Sequence, residues 1–165
     1  MTNQTRITLK NVKHAEFASE ETPCYQASVY FDGKRVGTVS NEGHGGCDAE
    51  HPTDREAWKE MLAYVATLPD ETVELGDGDS FTMQPSLESV CHSLLTQRLI
   101  EKDVQNMTRN KVVFFEGDWN GKYRFVPIAK AGTEERARQY VARKFPNATI
   151  FNDLPREKQV ALLSV

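Results

Sequence analysis

A chain of 165 residues with a net charge of −4 is long enough to bury a core without disulfides or a structural metal. Its 39% hydrophobic and 27% charged residues set aside a disordered tail, and it has no apolar run long enough for a transmembrane helix. The mild acidity is neither the basic surplus of a protein that grips many phosphates nor the dense acid of a DNA mimic, so charge does not indicate nucleic acid as a partner, although local basic patches stay open.

Ile7 and Leu9 alternate between Arg6 and Val12, which predicts a first strand. The polar segment Ala15 to Thr22 predicts a loop. Tyr25, Ala27, Val29 and Phe31 share one face of a second strand, and Asp32-Gly33 is a type I′ turn pair before the return strand from Lys34 to Ser40. An unbroken ladder would set Val29 against Val36 and Ala27 against Thr38. Asn41 to His51 reads as a loop. Thr53 and Glu56 then have the spacing of a capping box, and Trp58, Met61, Leu62 and Val65 form the apolar stripe of a helix that stops at Leu68-Pro69. Glu71 to Met83 is a short hairpin or an irregular connection, with a turn at Gly76-Asp77-Gly78-Asp79 that lacks the ligand register of a calcium loop.

Pro85-Ser86 opens a long helix with Leu87, Val90, Cys91, Leu94 and Leu95 inward and fraying near Asn106. Cys91 reads as core and His92 as a boundary residue on the helix flank. Val112 to Trp119 and Lys122 to Ile128 flank Asn120-Gly121, a hairpin signal that would pair Phe115 with Val126 and Val113 with Ile128. The aromatic and basic residues near that tip suggest stacking on single-stranded nucleic acid, but Trp119 packed inward is the better reading. Thr133 caps a further helix with Ala137, Tyr140 and Val141 inward, a short strand follows at Thr149 to Phe151, and Pro155 opens a last helix to Leu163.

These elements predict an α+β protein of antiparallel hairpin sheets with packed helices. The expected division is residues 1–84, a hairpin sheet plus a helix, and residues 85–165, helix, hairpin, helix, strand and helix, which would also fit one compact domain. Cys24, Cys47 and Cys91, without a signal peptide ahead of them, read as reduced thiols of a cytoplasmic protein with no membrane partner.

The candidate site is the segment Asn41-Glu42-Gly43-His44-Gly45-Gly46-Cys47-Asp48-Ala49-Glu50-His51. Its three glycines permit unusual backbone angles and close approach by a ligand. Asn41, Glu42, Gly43, His44, Gly45, Gly46 and Asp48 form the expected binding surface. Four chemistries compete with a plain turn. No cofactor is expected, with zinc as the alternative: His44, Cys47 and His51, with Asp48 or Glu50, have donor types that suit it, but no partner pair of ligands is evident, and Cys24 or Cys91-His92 would have to fold close. His44 as a base or Cys47 as a nucleophile would give catalysis, although no catalytic signature surrounds them. Glycine amides could cradle an anion, which Glu42, Asp48 and Glu50 oppose. A protein contact is the fourth. Replacing His44 and Asp48 is expected to cost little stability, as for most loop side chains.

The stretch Cys24-Tyr25 to Ser40 running into Asn41-Glu42-Gly43-His44-Gly45-Gly46, the segment Lys111-Val112-Val113-Phe114 and the string Asn152-Asp153-Leu154-Pro155 together resemble small proteins of bacteriophages and prophages to which no activity is attached. The resemblance spans most of the chain and implies an accessory protein of a phage or mobile element. Such a protein would act in the host cytoplasm by binding a host protein or complex, for example as an inhibitor of a defence system of the anti-CRISPR kind. It carries over no catalytic residue. The lack of a recognisable catalytic set favours this binding role over the alternative, a small metal-dependent or His/Cys-based enzyme using Asn41 to His51.

Overall fold

The computed structural model describes residues 4–76 and 79–164 and has the expected α+β architecture. Two compact units divide the chain, Met1–Thr96 and Gln97–Val165, so the division falls inside a helix. Asp77 and Gly78 of the Gly-Asp turn lie outside the described residues. No helix among the described residues is long and apolar enough to cross a membrane.

The first unit is built on a four-stranded antiparallel meander of β1 (Ile7–His14), β2 (Tyr25–Phe31), β3 (Lys34–Asn41) and β4 (Ala49–Pro52), in that spatial order. Helix α1 (Arg55–Val65), the hairpin of β5 (Glu71–Gly76) and β6 (Asp79–Met83), and α2 (Leu87–Thr108) follow. Asp32 and Gly33 form the tip of the β2–β3 hairpin, both in the left-handed region with φ of 48° and 79°. The ladder does not run unbroken, however. Tyr30 faces Arg35, but Val29 faces Gly37 and Ala27 faces Val39, because Val36 is an extra residue in a β-bulge. The bulge frees the Val36 carbonyl to accept the backbone N–H groups of Thr53 and Asp54 at 2.9 and 3.1 Å, which fixes the entry to α1. The cap of that helix is Asp54, whose carboxylate accepts from the Ala57 N–H at 3.1 Å, and not Thr53.

Ile7, Tyr25, Ala27, Val29, Phe31, Val36 and Val39 supply the buried face of this sheet, and α1 buries Trp58, Met61 and Val65. Leu62 is left exposed, so the apolar stripe of α1 is narrower than its sequence suggests. The Trp58 indole lies over Gly37, where a Cβ would come within 2.5 Å of the ring.

The second unit has a three-stranded sheet in the order β8 (Arg124–Pro127), β7 (Lys111–Glu116) and β9 (Ala148–Ile150), all antiparallel. Helices α3 (Ile128–Ala131), α4 (Glu134–Lys144) and α5 (Arg156–Leu163) complete it. The central strand β7 is buried on both faces. Val113 and Phe115 pack with Val104, Met107 and Phe151, while Val112 and Phe114 pack with Ala137 and Val141.

The register of the second hairpin differs from the one its Asn-Gly pair suggests. Val112 faces Val126, Val113 faces Phe125, and residues 117–123 form a longer connection with Asn120-Gly121 at its tip. Trp119 explains the difference. Its ring sits 5.1 Å from Phe115, 5.5 Å from Phe151 and 6.3 Å from Tyr123, on which it stacks, and a two-residue turn would forfeit this aromatic cluster. Asn152 finishes the edge of β7 with a side chain in place of a strand, accepting from the Val113 N–H at 2.8 Å and donating to the Lys111 carbonyl at 3.1 Å.

Candidate functional site

The segment Asn41 to His51 is not one loop. Asn41 closes β3, and Ala49, Glu50 and His51 belong to β4, where Ser40 faces Ala49, Val39 faces Glu50 and Thr38 faces His51. All four residues of β4 are exposed, as expected of a short polar edge strand, which hid it from apolar periodicity. Residues 42–48 make the connection.

The buried side chain of Asn41 organises that connection with its whole hydrogen-bonding capacity. Its Oδ1 accepts from the Gly43 N–H at 2.9 Å and from the Thr22 hydroxyl at 2.7 Å. Its Nδ2 donates to the Gly46 carbonyl at 3.1 Å and to Asp48 Oδ1 at 3.2 Å. The Gly43 carbonyl then accepts from the backbone N–H groups of Glu20, Glu21 and Thr22 at 2.9, 3.0 and 3.4 Å. Residues 15–24 and 42–48 are thereby stitched into one surface.

On this surface His44 is exposed, with Nδ1 at 3.3 Å from Glu20 Oε2. Cys47 is exposed as well. The neighbouring segment carries a three-residue 3₁₀ turn at Glu16–Ala18, held by the Ala18 N–H on the Ala15 carbonyl and the Ser19 N–H on the Glu16 carbonyl, both at 3.1 Å. Phe17, within that turn, is 94% exposed.

Asp48 behaves unlike its neighbours. Expected to be a loop residue of little structural weight, it has a side chain only 2% exposed. Its Oδ2 accepts from the Tyr25 hydroxyl, and its Oδ1 lies 3.4 Å from His92 Nε2, an atom shielded from solvent and without a hydrogen-bond partner. The Tyr25 and His92 rings meet edge to face at 6.0 Å. Glu88 joins them, since it sits one helical turn before His92 and therefore on the same face of α2. Asp48, Glu88 and His92 can each offer one donor atom within 4.8 Å of the others. Among the described residues this is the one such group, and His44, Cys47 and His51 do not form another.

The electrostatics agree with the geometry. Burial, and then the hydrogen bond to Asp48, holds the Tyr25 phenol well above its ordinary range. Burial pushes the Cys91 thiol up to about 12, helped by the negative charges of Asp48, Glu50 and Glu88. No lysine or arginine among the described residues pairs with Asp48 or Glu88, so the local field is negative.

Sequence reasoning placed Asp48 and Asn41 in the site but missed Glu88, Tyr25 and Phe17. Besides the Cys91-His92 pair, the Glu-x-x-x-His spacing at 88–92 was a signal that could have linked α2 to the loop. Comparison with protein-family models, with curated proteins and with solved structures finds no match for this chain.

Proposed function

We propose that this is an accessory protein of a phage or mobile element that acts by binding a host protein, such as a component of a defence system, through the surface built from residues 15–24 and 42–48. The observation that carries the reading is Phe17, a phenyl ring 94% exposed on a turn whose backbone is already hydrogen-bonded in place. A solvent-exposed phenyl forgoes about 1.5–3 kcal/mol of burial. A partner recovers that by covering it, at low ordering cost because the turn is preorganised. The adjoining His44–Glu20 pair supplies a polar rim. The phage-like strings noted in the sequence are what connect the surface to a host target.

The test is affinity capture from host lysate with the parent protein, Phe17→Ala and His44→Ala, each checked for an unchanged melting temperature. A partner held by the parent should lose about tenfold or more in affinity with Phe17→Ala, within the range of interface anchors. A partner retained equally by both variants places the contact elsewhere.

A second reading, a metal-dependent protein, is favoured by Asp48, Glu88 and His92. Two carboxylates and an imidazole, with Asp48 shielded from water, suit a divalent cation that prefers mixed oxygen and nitrogen donors, such as Mn²⁺ or Zn²⁺. Calorimetric titration with Mn²⁺ and Zn²⁺ should then show one site in the parent and none in Asp48→Asn. Without a cation, that variant should lose about 1–2 kcal/mol in urea denaturation, because the amide sets a donor against Asn41 or Tyr25. Identical cation binding by the two proteins rules the centre out.

A further inference from the structure

The second unit carries a cleft of about 550 Å³ between β8, α3 and α4 that the partner-binding surface does not use. Val126 and Ala131 line it with apolar side chains. Lys130, Arg136, Gln139, Tyr140 and Arg143 complete the lining. Positions 136, 139, 140 and 143 are spaced three and four apart on α4 and so share one face of the helix.

The charge of this cleft is one-sided. Three cationic side chains line it and no carboxylate does. Two other arginines of the unit are paired: Arg138, on another face of the same helix, binds Glu134 at 2.8 Å and Asp153 at 2.5 Å, and Arg124 reaches Glu116 at 3.5 Å. Lys130, Arg136 and Arg143 have no such ion pair among the described residues. Glu135, whose Oε1 accepts from Gln139 Nε2 at 3.5 Å, keeps its charge but does not line the cleft. In a chain of net charge −4, a cleft that gathers three unpaired cations beside apolar lining residues is complementary to an anion with an apolar body.

Tyr140 narrows the class of ligand. Its spacing with Ala137 and Val141 predicts a core position, yet the ring is 43% exposed and lines the cleft. A bare phosphate has no use for an aromatic wall or for a volume of this size. A nucleotide has use for both, since a base stacks on an aromatic face while guanidinium groups take the phosphates as paired donors. Gly132, with φ of 87°, ends α3 beside Arg136.

We infer that this cleft is a nucleotide-binding site, in which Lys130, Arg136 and Arg143 hold the phosphate groups and Tyr140 stacks on the base. The same chemistry is presented by a free nucleotide and by a terminal residue of a single strand. The experiment is a calorimetric titration of the full chain with ATP, AMP, inorganic phosphate and a short single-stranded oligonucleotide. The expected result is saturable binding of a mononucleotide or of the oligonucleotide, at least about tenfold tighter than inorganic phosphate because stacking adds to the charge contacts. Mononucleotide binding of equal or greater strength assigns a free nucleotide, and binding of the oligonucleotide alone assigns a strand. Arg136→Ala and Arg143→Ala should each weaken binding about tenfold or more, and Tyr140→Ala should do so for nucleotides without affecting phosphate. Lys144→Ala, on a basic residue of α4 that does not line the cleft, should bind as the parent does. The inference is overturned if no nucleotide or oligonucleotide binds, if phosphate binds as tightly, or if the arginine variants bind like the parent while folded.

Discussion

Replacing Gly43 by alanine is expected to destabilise the first unit by about 3 kcal/mol, the upper part of the range for a residue forced into a sparsely allowed backbone region. Gly43 has a φ of 90°, where L side chains are strained, and a Cβ there would collide with the Ala18 carbonyl and lie 2.9 Å from Cys24 Cβ. The clash cannot be relieved locally, because the Gly43 carbonyl is the acceptor that anchors Glu20, Glu21 and Thr22. Thermal denaturation should show a melting temperature lower by about 10 °C for a chain of this size. Gly46 provides the control. It shares the left-handed conformation, with φ of 85°, but has nothing within 4 Å of its Cβ position, so alanine there should cost only the backbone strain. Equal losses at the two positions would show that the contact with Ala18 contributes nothing.

The second large effect is sensitivity to alkali. Cys91 and Tyr25 are both buried, and both hold their protons in the folded chain beyond their ordinary range, Cys91 up to about 12. An acid whose folded pKa is raised stabilises the fold fully below the unfolded pKa. That contribution is lost as pH rises toward the folded value, because the unfolded chain ionises first. The loss should begin near pH 9 for the thiol and near pH 10 for the phenol, at about 1.4 kcal/mol per pH unit for each group. Urea denaturation midpoints across the range from neutral to strongly alkaline should fall steeply in the parent. They should fall less steeply in Cys91→Ala and Tyr25→Phe, and least in the double variant. Parallel curves for parent and double variant would assign the alkaline loss to other groups.

The legibility of this chain in its sequence follows the range of the forces involved. Asp32-Gly33 is a local signal, and its hairpin forms as expected because positive φ at both positions is a property of the dipeptide and its neighbours. Thr133 caps α4 for the same reason, its hydroxyl accepting from the Arg136 N–H at 3.2 Å. What lay beyond local signals was register. The bulge at Val36 exists to aim a carbonyl at residues 53 and 54, and the long connection around Asn120-Gly121 exists to bury Trp119 against Phe151. Both depend on partners far away in sequence. The site divides in the same way. Asn41 and Asp48 stood out as polar residues among glycines, whereas Glu88 carried no signal and His92 read as a boundary residue on the helix flank until the fold set them beside Asp48. Phe17 sat in a segment read only as polar, so its presentation on an ordered turn had no sequence signal.

The clamp of Asn152 on β7 has a consequence for how the chain is made. Synthesis is vectorial, and β7 leaves the ribosome well before the residues that complete one of its edges, Ala148–Ile150 and Asn152. During that interval the most apolar strand of the second unit can pair on one side with β8 while its other side offers free N–H and C=O groups. The nascent chain is then a template for strand addition by a second copy, and the hazard ends when Ala148 to Asn152 emerge and close the edge.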